Sequence, residues 1–225
     1  DSGAIISRMV AGNLDLAARL IVHVTGPFGH DATWPQVPLS SGGVQDQIAF
    51  TLPGWSIRMA PAPHGSPFTH VAEAVPDQLP IDDAAVSRLQ RRLYSILSFV
   101  WSSEAGVGPT VGLDGAGSVA WAEWVTPRKG SSYSRHRWCW KGDASTAIPA
   151  VAGGIVKLRT DQGLEDIVER AIGHMLAANG AENVVDVRLP IACTGLELLA
   201  WSILQHHGWI TADTAAPRGP LKAGA

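Results

Sequence analysis

The feature that most constrains this chain is a pair of apolar helical patterns joined by a short polar link. From Thr160 or Asp161 onward, Leu164, Ile167, Val168, Ala171, Ile172, Met175 and Leu176 recur at the helical period and form one apolar face. Asn179-Gly180 ends that helix, because both residues tolerate the left-handed conformation of a helix stop. A second helix begins near Asp186, takes Pro190 in its first turn, and runs to His206 or His207, with Gly208 as its stop. Its residues Leu189, Ala192, Leu196, Leu199, Ala200, Ile203 and Leu204 are expected to face inward. So short a link implies an antiparallel pair.

The first half has the other periodicity. Residues 3–10 and 19–26 are strand candidates, the second closed by Gly26-Pro27. Residues 27–46 are rich in Pro, Gly and Ser and read as a loop. Residues 47–52 and 55–59 read as strands joined through the turn dipeptide Pro53-Gly54, with a Pro-rich loop over 60–67. Then Asp82 or Asp83 caps a helix that runs to about Trp101, with Val86, Leu89, Leu93, Ile96, Leu97 and Val100 on one side. Arg88, Arg91 and Arg92 fall mostly on the other. Residues 110–113 and 118–125 flank Asp114-Gly115-Ala116-Gly117, a strong hairpin signal. Residues 149–158 read as a short helix or turn weakened by Gly153-Gly154.

These elements give an α+β class: an antiparallel β-rich N-terminal half packed with a long helix, followed by an antiparallel helix pair. One unit is expected over residues 1–210, β-rich to 80, helix and hairpin over 81–142, helical over 143–210. Residues 211–225 are mostly Ala, Pro and Gly and are expected to form a flexible tail.

Composition narrows the function classes. A 46% apolar and 16% charged composition is globular, and 225 residues can bury a substantial core. A formal charge of −3 gives no global attraction to nucleic acid or acidic membranes. Cys139 and Cys193 lie in dissimilar segments, which argues against a disulfide framework and for a reducing, cytoplasmic setting. The longest strongly apolar stretch, residues 196–204, is interrupted by Glu197 and too short to span a bilayer, so no membrane partner is expected.

Four constellations could carry chemistry. Arg128, Lys129, Tyr133, Arg135, Arg137 and Trp138 form a basic, aromatic stretch with Trp140 and Lys141, a mixture suited to the phosphates and bases of single-stranded RNA. The same residues would also suit a solvated loop or edge strand. The eight histidines match no metal-ligand spacing, and no metal or cofactor is expected. Cys193 on the apolar second helix reads as a core residue, not a nucleophile. In the helix pair, Arg170 and His174 share a face, Arg188 lies near the second helix start, and Glu197 interrupts its apolar sequence. If Glu197 points inward it needs one of these as partner; the alternatives are a structural ion pair or a solvated carboxylate.

The segments Leu97-Ser98-Phe99, residues 111–121, Arg170-Ala171-Ile172 with Ala177-Ala178-Asn179, and residues 191–201 (Ile-Ala-Cys-Thr-Gly-Leu-Glu-Leu-Leu-Ala-Trp) carry a resemblance. They resemble bacterial proteins of actinobacterial type in which a β-rich N-terminal region precedes helices similar to the HEPN nuclease domains of prokaryotic defence systems. The resemblance covers roughly residues 80–210. It implies metal-independent RNA cleavage by an Arg followed, after four to six residues, by a His near a helix start. Arg170-x-x-x-His174 is one residue short of that spacing, and Arg58 with His64 falls in a Pro-rich region. In relatives the motif would follow the second helix, so the expectation is a non-catalytic member or one lacking its nuclease half.

The leading expectation is a non-enzymatic recognition or regulatory protein of a bacterial defence-like system. The alternatives are a nucleic-acid-binding protein or degenerate HEPN-type RNase, and a small-molecule pocket between sheet and helix pair lined by several of the nine tryptophans. A protein partner or a homo-oligomer would use the C-terminal helices.

Overall fold

Every second residue of Arg19–Thr25 is buried: Leu20, Val22 and Val24 face inward, while Arg19, Ile21 and His23 are half-exposed. That is the burial of a strand covered on one face. In the computed structural model, which describes residues 8–26, 36–38, 44–125, 144–157, 162–179 and 185–210, this strand (β2) lies in the middle of an antiparallel sheet of seven. β1 (Arg8–Gly12), β5 (Ile48–Leu52), β6 (Trp55–Pro61), β7 (His70–Pro76), β8 (Gly106–Leu113) and β9 (Val119–Val125) complete it, in the order β1-β9-β8-β2-β7-β6-β5. A separate ribbon pairs β3 (Gln36–Pro38) with β4 (Val44–Asp46).

The covered face is closed by α1 (Asp83–Trp101). Asp82 caps it, its carboxylate accepting from the Ala85 amide, and Ser102 ends it in the left-handed conformation at φ 52°. Val86, Leu89, Leu93, Ile96, Leu97 and Val100 are all at most 1% exposed, and form one core with the inward residues of β2, β5, β6 and β7. α2 (Ala144–Lys157) extends this layer over β5 through Ile148 and Ala152. α3 (Gln162–Asn179) rests on α1, and α4 (Val185–His206) packs mainly on α3. The α+β class, the antiparallel sheet and the helix pair thus agree with the sequence pattern.

The hairpin between β8 and β9 closes as its residues require. Asp114 accepts at its Oδ1 from the amides of Ala116 and Ser118, at 2.9 and 2.8 Å, and Gly117 takes φ 87°.

Several expectations need correction. The Pro- and Gly-rich 27–46 region contains the β3–β4 ribbon. β7 lies where no strand was expected: it turns Ala72 and Ala74 inward and Val71 and Val75 outward, the reverse of the usual strand pattern. β8 starts four residues before the expected Thr110: its pairing with β2 shifts register between Val22 and Val24, so Val107 packs against the core and the regular alternation of a strand is broken there. Arg92 is buried, and its Nη1 donates to the Pro53 carbonyl at 3.3 Å. α2 is a full helix of 14 residues despite Gly153-Gly154. Pro190 falls in the second turn of α4, not the first. Leu189, Leu196, Ala200 and Ile203 do not face inward; they are exposed, as is Cys193. Strand candidate residues 3–7 and the expected tail lie outside the described residues.

Leu89→Ala removes a side chain that is wholly buried between α1 and the sheet. It should cost about 2–5 kcal/mol, read as a loss of stability in urea unfolding followed by circular dichroism.

Candidate functional site

One side of α1 is apolar and buried. The adjoining side is polar, and Ser87, Gln90, Arg91, Tyr94 and Ser95 recur along it at steps of one helical turn. They form the wall of an open cleft of about 690 Å³ whose far side is Asp166, Glu169 and Arg170 of α3. Arg91 Nε meets Glu169 Oε2 across it at 3.4 Å, tying α3 to α1. Arg170 is exposed, and its Nε donates to the Asp166 carbonyl at 3.4 Å.

Below this cleft sits a buried carboxylate. Glu123 on β9 is 2% exposed and points to the α1 side of the sheet. Gln90 Nε2 donates to Glu123 Oε2 at 2.7 Å and to Thr110 Oγ1 at 2.9 Å. Arg8 Nε donates to Glu123 Oε1, and this bond raises the Arg8 pKa above its ordinary value. The carboxylate therefore joins β1, α1 and β9, which makes it a structural group with its acceptors occupied. Sequence reasoning missed it. The signal was available, since Glu123 shares the parity of Trp121 and so had to turn inward.

A second cleft is apolar. Phe99 at the end of α1, Val151 of α2, and Ile172 and Met175 of α3 face Ala192 and Leu199 of α4 around about 670 Å³. It lies between helices, not between the sheet and the helix pair, and no tryptophan is among the described residues that line it. α3 and α4 pack tightly at Gly195, where an added Cβ would lie 3.0 Å from the His174 Cβ. Gly195 and Ser202 mark the buried face of α4, and Leu196, at the cleft margin, is 67% exposed. Leu189 is 63% and Ile203 45% exposed on the same side. By length and composition α4 is also apolar enough to cross a membrane.

The residues singled out in the sequence do not converge. His174 is half-buried at the α3–α4 crossing, whereas Arg170 opens on the polar cleft. Arg188 is half-buried near the start of α4. Glu197 is exposed and has no ion pair among the described residues, so the solvated-carboxylate alternative holds for it. Arg128, Lys129, Tyr133, Arg135, Arg137 and Trp138 lie outside the described residues. Among the described residues no group of three or more His, Cys, Asp or Glu side chains is arranged to hold a metal ion. Comparison with protein families, with curated proteins and with solved structures finds no match.

Two of the polar contacts of α1, those of Gln90 and Arg91, should differ in weight. Gln90→Leu withdraws a donor from buried Glu123 and should cost about 1–3 kcal/mol. Arg91→Ala removes a half-exposed pair and should cost about 0–1 kcal/mol in the same chemical denaturation series.

Proposed function

We propose that this chain is a non-enzymatic recognition or regulatory protein in which the sheet and α1 are the support and the α3–α4 pair is the docking element. The observation that carries the reading is the outer face of α4. Leu189, Leu196 and Ile203 lie along one side of it, exposed, next to an apolar groove that opens beside Leu196. Apolar surface in a continuous row is a mark of an interaction site, whereas scattered exposed apolar residues are ordinary. Helix-in-groove recognition uses anchors at this spacing.

The resemblance supports a bacterial, defence-like setting in the cytoplasm, with this chain sensing or regulating instead of cleaving. A second reading has its own observation: the 670 Å³ groove is large enough and apolar enough for an alkyl ligand. In that case decanoate would raise the melting temperature, and Ala192→Trp, which fills the groove, would remove the rise.

The docking reading is tested with the Leu189→Glu/Leu196→Glu double variant. If the stripe is a docking surface, the melting temperature moves by no more than about 2 °C. A fall beyond about 10 °C would make the stripe part of the core and end the reading. Single-stranded RNA incubated with the chain in EDTA should stay intact. Degradation that His174→Ala stops would show an enzyme instead.

A further inference from the structure

The apolar row on α4 is ordered. Leu189, Leu196 and Ile203 are seven residues apart, and Cys193 and Ala200 fall between them at steps of four and three. All five are exposed. An apolar repeat averaging 3.5 residues is the seam of a helix that packs lengthwise on another helix. This seam lies beside the face that α4 gives to α3, so α3 does not occupy it.

The seam is also nearly symmetric about its middle. Leu189 lies seven residues before Leu196, and Ile203 seven after. Turned end for end about Leu196, it meets its own pattern: Leu196 lies opposite Leu196, Leu189 opposite Ile203, and the small Cys193 close to Ala200 of the other copy. Self-complementarity of this kind is what a two-fold interface demands, because one patch must serve both sides. The helix ends agree. Asp186 is in the first turn and His206 in the last. Antiparallel apposition brings the acidic start of one helix to the histidine end of the other and opposes their dipoles.

Area bears on the choice as well. Three large seam residues cannot by themselves supply the roughly 800 Å² per partner of a specific interface. The groove supplies more: Ala192, Leu196 and Leu199 form its α4 wall, so a side chain of a second copy that passes Leu196 enters an apolar space of about 670 Å³. A lipid bilayer suits α4 less well. Glu197 adjoins the seam, and Asp186 and Arg188 lie on the same helix. In a bilayer each such charge near the centre costs about 2.5–3.5 kcal/mol, whereas at a helix–helix seam Glu197 stays in water.

We propose that α4 is the interface of an antiparallel, two-fold dimer of this chain, with Leu196 near the axis. The proposal rests on the docking reading and specifies its partner as a second copy.

The full chain should be dimeric by light scattering at concentrations on the order of 10 μM and above, the weak end for interfaces of this size. Leu196→Glu should weaken the dimer at least tenfold with its circular dichroism unchanged. Orientation is read by cross-linking with a short bis-maleimide in a Cys139→Ser/Cys193→Ser background. Leu196→Cys should link to itself, and Leu189→Cys should link to Ile203→Cys in a mixture more than to itself. A wild-type chain that is monomeric throughout overturns the proposal, whether it stays in solution or moves onto phosphatidylcholine–phosphatidylglycerol vesicles. A dimer indifferent to Leu196→Glu overturns it too. In either case, a folded Leu189→Glu/Leu196→Glu variant leaves the docking reading standing, and an unfolded one ends both.

Discussion

The rest of the molecule depends on the burial of α1 against one face of the sheet. An antiparallel sheet of seven strands has two faces, and only one can be left to water without cost. Leu20, Val22, Ile57 and Met59 present the apolar face, and Leu89, Leu93, Ile96 and Val100 cover it. Once α1 is seated, the strands on either side of it are committed. β7 precedes it and β8 follows it, yet both pair with β2, so the helix must cross the sheet between its two neighbours. At its end Trp101 stacks on buried His70, with ring centroids 5.4 Å apart, which joins the helix terminus to β7.

The same helix organises the polar part of the structure. Gln90 reaches down to Glu123 and Thr110, Arg92 to the Pro53 carbonyl, and Arg91 across to Glu169. Each contact joins α1 to a different element. The C-terminal helices are attached to this body through α3, and the further they lie from α1 the less of their surface is buried. α4 is the extreme, with an apolar side that no described element covers.

Much of this was legible in sequence, and the limits have physical causes. α1 was readable with its cap because its apolar period is strict and Asp82 stands where a first-turn amide needs an acceptor. The β8–β9 hairpin was readable because Asp-Gly turn chemistry is local. β7 and the start of β8 were not: alanine takes the inward positions of β7, and the pairing of β8 with β2 shifts register between Val22 and Val24, which breaks the alternation. The α4 residues illustrate a different limit. Periodicity identifies that a row of leucines shares a side, but not whether this chain or another supplies the cover. Leu196 and Ala192 have the same apparent standing in sequence, yet one is exposed and the other half-buried. Glu197 shows the converse: its place in an apolar run suggested a buried charge, and one step around the helix put it in solvent.

The attachment of α4 has a consequence for how the molecule opens. β2 is paired on both edges, by β7 and β8, and the middle of α1 is sealed onto the core by Leu89, Leu93 and Ile96, so exchange of their amide hydrogens requires the core to come apart. α4 leans chiefly on one neighbour, across a contact fixed by Gly195 and His174. Its amides can exchange by detachment of that helix alone, while the sheet stays intact. Protection factors along the chain therefore divide into two tiers, and the lower tier measures how firmly the last helix is held.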